Sequence, residues 1–319
     1  MGVTLQINLA PPDVLHAVHV APHQLRVWGE QVDEILFTLD AVRPSAGRFA
    51  GRWDELAPAM NALLEQLERE HRHARVDVVD ASPETVRLVA ARFFASQRIP
   101  MKDSRGGPLY AYFYGLHQAA NDLVLHVDSD MLFGGGSRTW VQEAVAAIRA
   151  DETVLLAGPL PGPPRADGRL CGQPDAQPEP GLGLAFRFHS MSTRVFLLDR
   201  ARLRERVGAM PLAPPLLLRS RVKALINRNP MAAMPEQILS REMRRHRLAR
   251  VDFLGEDPGM WSLHPQYRSP DFYRDLPSLI ARVEAADLPD EQRGHYNFVD
   301  ELFDFSEVRA RLSRSPLAR

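Results

Sequence analysis

The sequence predicts an α/β protein, a three-layer α/β/α domain with a mostly parallel central sheet. Three observations predict it. Short apolar runs alternate with helical stretches through the N-terminal part of the chain. The runs are apolar almost throughout, as strands covered on both faces are. Several of them end on an aspartate, which sets acidic side chains along the edge of the sheet where such folds bind ligands.

Taken in order, Val3–Leu9 (VTLQINL) is short, apolar and bounded by Pro11 and Pro12, and reads as the first strand. A helical stretch around residues 22–30 leads into a second strand, Glu34–Leu39 (EILFTL), which ends at Asp40; a third over 76–79 ends at Asp80. Ser82, Pro83 and Glu84 form a helix start, with serine as cap and proline in the first turn. Residues 106–120 predict another helix, with Leu109, Tyr112, Phe113 and Leu116 on one face, and it delivers the chain to a central strand at 123–127 (LVLHV). Residues 158–183, dense in proline and glycine, read as a long loop. A strand-like run at 184–198, an apolar-basic stretch at 211–230, a helix over 235–246 and a short strand at 249–254 complete the pattern.

Composition excludes several classes. Of 319 residues, 45% are hydrophobic and 25% charged, which is ordinary globular usage. The 39 basic residues nearly balance the 40 acidic ones, so no global field draws the chain to nucleic acid. All basic residues but Lys102 and Lys223 are arginine, a bias that reads as GC-rich coding. Cys171 is the only cysteine, which excludes an internal disulfide or a cysteine-rich zinc site and points to a reducing, cytoplasmic setting. The opening apolar run lacks the basic lead-in of a signal peptide, and no run approaches the roughly 20 apolar residues of a membrane span. No integral membrane segment is expected. Leu216, Leu217 and Leu218 beside Arg219, Arg221, Lys223 and Arg228 leave two readings open, an acceptor loop or peripheral contact with an anionic membrane.

The chemistry concentrates at residues 123–133, LVLHVDSDMLF, where a buried strand runs into two carboxylates one residue apart. On an extended backbone Asp128 and Asp130 point the same way and would face one hard divalent cation together. Solvated aspartates at a strand-to-turn junction are the other reading. Upstream, residues 103–107 (DSRGG) open a helix that ends in Ala119, Ala120, Asn121 and Asp122.

These residues together resemble the GT-A glycosyltransferases, particularly the family 2 enzymes, whose hallmark is a D-x-D closing a central strand. The resemblance implies a GT-A, Rossmann-like domain over residues 1–319. Residues 1–131 would bind the nucleotide-sugar donor, 132–268 the acceptor, and 269–319 would form a C-terminal helical extension. It implies Mn²⁺ or Mg²⁺ as cofactor, with Asp130 on the metal and Asp128 on sugar or metal. Asp40 resembles the strand-end carboxylate that reads the base, and Arg105 and Gly107 belong to the donor loop. His264, within residues 261–265 (WSLHP), is the candidate for the distant metal ligand, and Arg268 for a grip on the diphosphate. Glu236 opens the helix in 234–242 (MPEQILSRE) and is the first candidate for general base; Asp257, in 255–259 (GEDPG), is the reserve. Each also has a plainer reading, as a surface arginine, a turn aspartate, a structural histidine or a helix-start glutamate favoured by the dipole.

The expected activity is metal-dependent, inverting transfer of a sugar from a UDP-, GDP- or dTDP-sugar to a hydroxyl on a saccharide, small molecule or lipid-linked acceptor. Two features depart from the family pattern. Asn8 precedes Leu9, Ala10, Pro11 and Pro12 where the family has proline first, and Gln237 follows Glu236 where a second acid is common, so retention stays open. A sugar-nucleotide nucleotidyltransferase is the alternative, although residues 10–13 carry neither glycine nor cation; a non-catalytic nucleotide-sugar binder is another. Glycines 134–136 read as a flexible turn and His16, His19 and His23 as surface residues, and no G-x-S-x-G elbow exists.

Overall fold

The structure, a computed structural model, describes residues 2–43 and 52–314. The strands are β1 (Val3–Leu9), β2 (Glu34–Leu39), β3 (Ala74–Val78), β4 (Leu123–Asp128), β5 (Leu132–Gly134), β6 (Val154–Pro161), β7 (Gln177–Pro178), β8 (Ala185–Phe188), β9 (Val195–Asp199), β10 (Ala249–Phe253) and β11 (Trp261–Leu263). The helices are α1 (Val14–Trp28), α2 (Trp53–Glu70), α3 (Pro83–Phe93), α4 (Tyr110–Gln118), α5 (Trp140–Ala150), α6 (Arg200–Arg206), α7 (Leu218–Ile226), α8 (Pro235–Arg245), α9 (Pro270–Glu284) and α10 (Ser306–Ser313). The sheet runs β3-β2-β1-β4-β9-β6-β10-β8-β7, with β11 joining β5 and β6 at one end. From β3 to β4 every pairing is parallel; β9 is inserted antiparallel between β4 and β6.

Side chains alternate between two layers. Val3, Leu5, Ile7 and Leu9 of β1, with Leu123, Leu125 and Val127 of β4, pack under α1, α2 and α5. Val124 of β4 and Leu36 of β2 pack on the opposite layer with α3, α4, α6 and α8. The sheet is therefore covered on both faces, as a parallel α/β sheet must be. The reading of β1 as apolar throughout needs one correction. Its second face carries Thr4 and Gln6, both fully buried, and their polar atoms are matched by partners on β2 and β4.

Several sequence expectations shift. The helix expected at 22–30 starts at Val14, so Pro22 lies inside it. Packing of Ala17, Ala21, Leu25 and Trp28 outweighs the lost bond, and Val18, whose carbonyl loses its donor, is on the exposed side. The long loop expected at 158–183 begins later, because β6 extends through Pro159 and Pro161; β9 pairs only with Leu156 and Ala157, so the prolines fall beyond that ladder. The run at 184–198 is two strands, with β8 towards an edge and β9 at the centre. The helix expected from 106 begins at Tyr110, because Asp103 Oδ1 accepts the amides of Arg105 and Gly107 and holds residues 103–107 in a turn. Two of the glycines at 134–136, expected as a flexible turn, are close approaches: a Cβ on Gly134 would sit 2.1 Å from the Trp261 ring and one on Gly135 2.4 Å from the Gly259 carbonyl oxygen, while Gly136 has open space and a positive φ of 85°.

His16 and His23, expected at the surface, are buried on α1. The His23 Nε2 accepts the Phe133 amide at 3.0 Å, so its Nδ1 donates to Glu284 of α9 at 2.7 Å and the ring is neutral. The next residue, fully buried Gln24, donates from Nε2 to the carbonyls of Asp128 at 2.9 Å and Met131 at 3.0 Å. Thus α1 holds the chain just after β4. Gln24→Leu keeps the volume and strands two buried acceptors, so it should cost about 1–3 kcal/mol. Urea unfolding should show a lower midpoint at unchanged slope; an unchanged midpoint would refute the clamp.

Candidate active site

The centre of the site is the end of β4. The strand stops at Asp128, and Ser129 and Asp130 lie in a turn closed by the Met131 amide on the Asp128 carbonyl at 3.1 Å. Strand alternation therefore does not aim Asp130, contrary to the sequence argument; the turn does. Both carboxylates nevertheless line one cleft of about 290 Å³, together with Asn8, Asp40, Trp53, Lys102 and Glu236.

A chain of buried polar groups leads to Asp128. Gln6 Nε2 donates to Asn8 Oδ1 at 2.5 Å and Thr38 Oγ1 at 3.1 Å, Gln6 Oε1 is bonded to His126 Nδ1, and His126 Nε2 lies 3.3 Å from Asp128 Oδ1. The Asp128 amide donates to the Arg194 carbonyl at 2.7 Å. Its side chain keeps 40% of its surface open to the cleft, yet protein atoms crowd it. This desolvation pushes its carboxyl above the usual range, against the pull of His126.

Asp130 is handled differently. Burial pushes it up as well, but Arg268, His264 and His16 outweigh burial and hold its carboxyl below the usual range. Arg268 bonds Asp130 Oδ2 through Nη2, donates to the carbonyls of Pro265 and Tyr267, and lies 5.5 Å over the Phe272 ring. Asp130 Oδ1 is buried with no hydrogen-bond partner. His264 follows β11 directly and is bound at Nδ1 to Asn297 Oδ1 at 3.0 Å; burial pushes its imidazole down to about 4, so the ring is neutral.

Among the described residues no three His, Cys, Asp or Glu side chains are arranged to hold a metal ion. The donor set present does suit one that takes further ligands from a substrate. It comprises an orphaned carboxylate oxygen on Asp130 and a neutral imidazole oriented by a side-chain amide, the arrangement in which histidine binds metals. The electrostatics point the same way: the described lining of the cleft has six acids, Asp13, Asp40, Asp103, Asp128, Asp130 and Glu236, and one base, Lys102, which is paired with Asp40, while burial pushes Asp13 up to about 7.

Other candidates divide. Asp40 lines the cleft, paired with Lys102 at 2.6 Å, and Lys102 also lies 5.4 Å over the Trp53 ring. Glu236, in the first turn of α8, lines it too, 3.5 Å from Thr193 Oγ1. His264 and Arg268 stand off the wall and act on it through Asp130. Arg105 is exposed and off the wall. Gly107 is also off the wall; it serves the turn, since a Cβ there would meet Asp103 Oδ2 at 2.8 Å. Asp257, the reserve base, is exposed in a turn whose Glu256 amide bonds Glu143 of α5, away from both cavities. Asp80 is exposed and accepts from Ser82 and Thr85 at the start of α3.

Sequence reasoning missed four groups. Lys102 was visible as one of only two lysines in an arginine-rich chain. Arg194, Arg250 and Asp252 had no motif to mark them. They line a second cavity of about 240 Å³ that shares Glu236 with the first. Arg250 Nε stands 3.0 Å from Asp252 Oδ1 but off the hydrogen-bond direction, and burial, only partly offset by Arg250, pushes Asp252 up to about 6.

The histidines set a pH response. Unfolded, His264 takes up a proton near 6.5; folded, it resists protonation until about 4, and His16 until about 3. Stability is therefore fully present above 6.5 and lost as pH falls through that window, by about 3 kcal/mol for His264 alone. Urea midpoints measured at pH 7.5 and pH 5 should fall less in His264→Gln than in the parent, in metal-free buffer; equal falls would refute the assignment.

No protein-family model matches the sequence, and no curated protein matches it. Among solved structures, the chain is similar to GalNAc-T7 with UDP, GalNAc and Mn²⁺ at 13% identity and a TM-score of 0.47, covering 99% of this chain and 58% of that one. It thus spans little more than half of that chain. Staphylococcus aureus TarS 1–349 in complex with UDP-GlcNAc is similar at 13% identity and a TM-score of 0.42, covering 99% of this chain and 77% of that one. The mannosyltransferase PcManGT from Pyrobaculum calidifontis, in complex with GDP-Man and Mn²⁺, is similar at 12% identity and a TM-score of 0.37, covering 99% and 72%. Likenesses at this level concern the fold and assign no role to any residue.

Proposed function

We propose that the chain is a GT-A type glycosyltransferase that moves a sugar from a nucleoside-diphosphate donor to an acceptor hydroxyl. The observation that carries the reading is the convergence of Asp128 and Asp130 on one cleft that Glu236 also lines. A nucleoside diphosphate is an anion, and a wall where the one lysine is already paired with Asp40 leaves Asp128, Asp130 and Glu236 to repel it without a divalent cation between them. Asp130 and His264 are the residues that would hold Mn²⁺ or Mg²⁺, with Asp128 beside them. When bound, the ion neutralises the charge that develops on the leaving diphosphate.

The chain's own groups divide the remaining work. The Gln6–His126 ladder holds Asp128 in one orientation. Arg268, off the cleft wall, balances the charge of Asp130. Asp40 and Lys102, a neutral buried pair beside Trp53, offer one acceptor and one cation to the nucleoside. The donor half is 1–131 and the acceptor half 132–268, and the cavity lined by Arg250, Asp252 and Ser262 receives the acceptor. Because Glu236 faces both cavities, its carboxylate takes the proton of the acceptor hydroxyl as that oxygen bonds the anomeric carbon and the diphosphate departs from the opposite side, with inversion.

Thermal shift measurements with UDP-, GDP- and dTDP-sugars, each with and without Mn²⁺, test the donor site. One donor should stabilise the protein with Mn²⁺ and fail to do so without it. Asp130→Asn should lose that shift and the slow Mn²⁺-dependent hydrolysis of the donor. Glu236→Gln should keep the shift while kcat for transfer falls about 10²–10⁴-fold. Absence of any Mn²⁺-dependent shift across the panel would sink the reading. Release of pyrophosphate from a sugar phosphate and a nucleoside triphosphate would instead support a nucleotidyltransferase.

A further inference from the structure

The apolar-basic stretch at 211–230 folds around α7, and its side chains are turned the wrong way for a soluble helix. Leu218, Val222, Leu225 and Ile226 follow one another at helical spacing and form a single stripe. The stripe faces outward: Leu218 is 74% exposed, Leu225 66% and Ile226 60%, with Leu216 just before the helix at 70%. Ala224, on the opposite side of the helix, is fully buried. Most of the exposed large hydrophobic side chains among the described residues belong to this one stretch. A patch of this kind marks a surface that is covered in use.

Charge says by what. The chain is nearly neutral, yet no acidic residue occurs between Glu205 and Glu236, while Arg219, Arg221, Lys223 and Arg228 do. Arg219 and Lys223 flank the apolar stripe on one side and Arg221 on the other. An apolar stripe bordered by cations is complementary to a bilayer surface with anionic headgroups, where the leucines enter the acyl boundary and the cations meet phosphates. We propose that α7 and the preceding leucines dock the protein on an anionic membrane surface.

The docked segment is tied to the cleft. Asn229 Nδ2 donates to the Ser104 carbonyl at 3.3 Å, and the Ser104 amide donates to the Ala232 carbonyl at 2.9 Å. Ser104 sits between Asp103 and Gly106 in sequence, both in the cleft wall. Docking through α7 would therefore hold the cleft beside the lipid surface. The surface stands on its own observations and does not depend on the transfer reaction.

The test uses the full chain and co-sedimentation with phosphatidylcholine vesicles, with and without phosphatidylglycerol, at low and high salt. The protein should pellet with the phosphatidylglycerol vesicles at low salt and remain in solution with phosphatidylcholine alone. Leu218→Ser/Leu225→Ser/Ile226→Ser should lower binding about tenfold or more at an unchanged melting temperature, since these side chains are exposed. Arg219→Gln/Lys223→Gln, which leaves the apolar stripe intact, should lower it about tenfold and flatten the salt dependence. Failure to pellet with phosphatidylglycerol, or equal pelleting of both variants and the parent, overturns the proposal. So does a dimer in solution that the triple serine substitution dissolves, which would assign the stripe to a second copy of the chain.

Discussion

The site depends on one constraint: two carboxylates brought to the end of a buried central strand must each be compensated, and each is compensated from a different part of the chain. Asp130 is held by Arg268, 138 residues further on. Asp128 is held by a ladder of side chains from β1, β2 and β4. An unpaired charge at such depth would cost several kcal/mol, so the C-terminal part of the chain is bound to fold back onto β4. The short β11, the Asn297–His264 bond and the packing of α9 on α1 through Glu284 and His23 all bring Arg268 to that place.

The compensation is incomplete, and the incompleteness is informative. Asp130 keeps an oxygen without a partner, and the cleft keeps a strong excess of acids over bases. A buried carboxylate oxygen without a partner in a cleft wall leaves room for a further ligand. A cation brought with an anionic substrate, as proposed, would satisfy both at once. The second cavity differs: its lining sets Arg194 and Arg250 against Asp175, Glu236 and Asp252, three acids to two bases, which suits a neutral hydroxylated ligand better than an anion. Glu236 is common to both cavities, and the proton transfer proposed for it rests on that position.

Much of the fold was legible in the sequence because it follows from local pattern. The runs that became β1, β2, β4 and β10 are short and apolar, and Ser82 caps α3 as its residue type predicts, accepting the Thr85 amide at 3.4 Å. What misled were places where tertiary packing overrode local signals: Pro22 inside α1, the prolines of β6, and His16 and His23 of α1, which read as surface residues and are buried. Asp257 could stand as the reserve base behind Glu236, since an acid in a turn carries no mark of which cavity it faces.

The sequence alone determined the alternation of elements, the end of the central strand and the acidic pair Asp128 and Asp130, because strand periodicity and turn chemistry act over a few residues. Only the tertiary structure decided that Arg268 meets Asp130, that Lys102 meets Asp40, that Arg250 and Asp252 share a cavity with Glu236, and that α7 turns its leucines outward. Those are contacts between residues far apart in the chain, set by how layers pack on the sheet, and no local pattern encodes them.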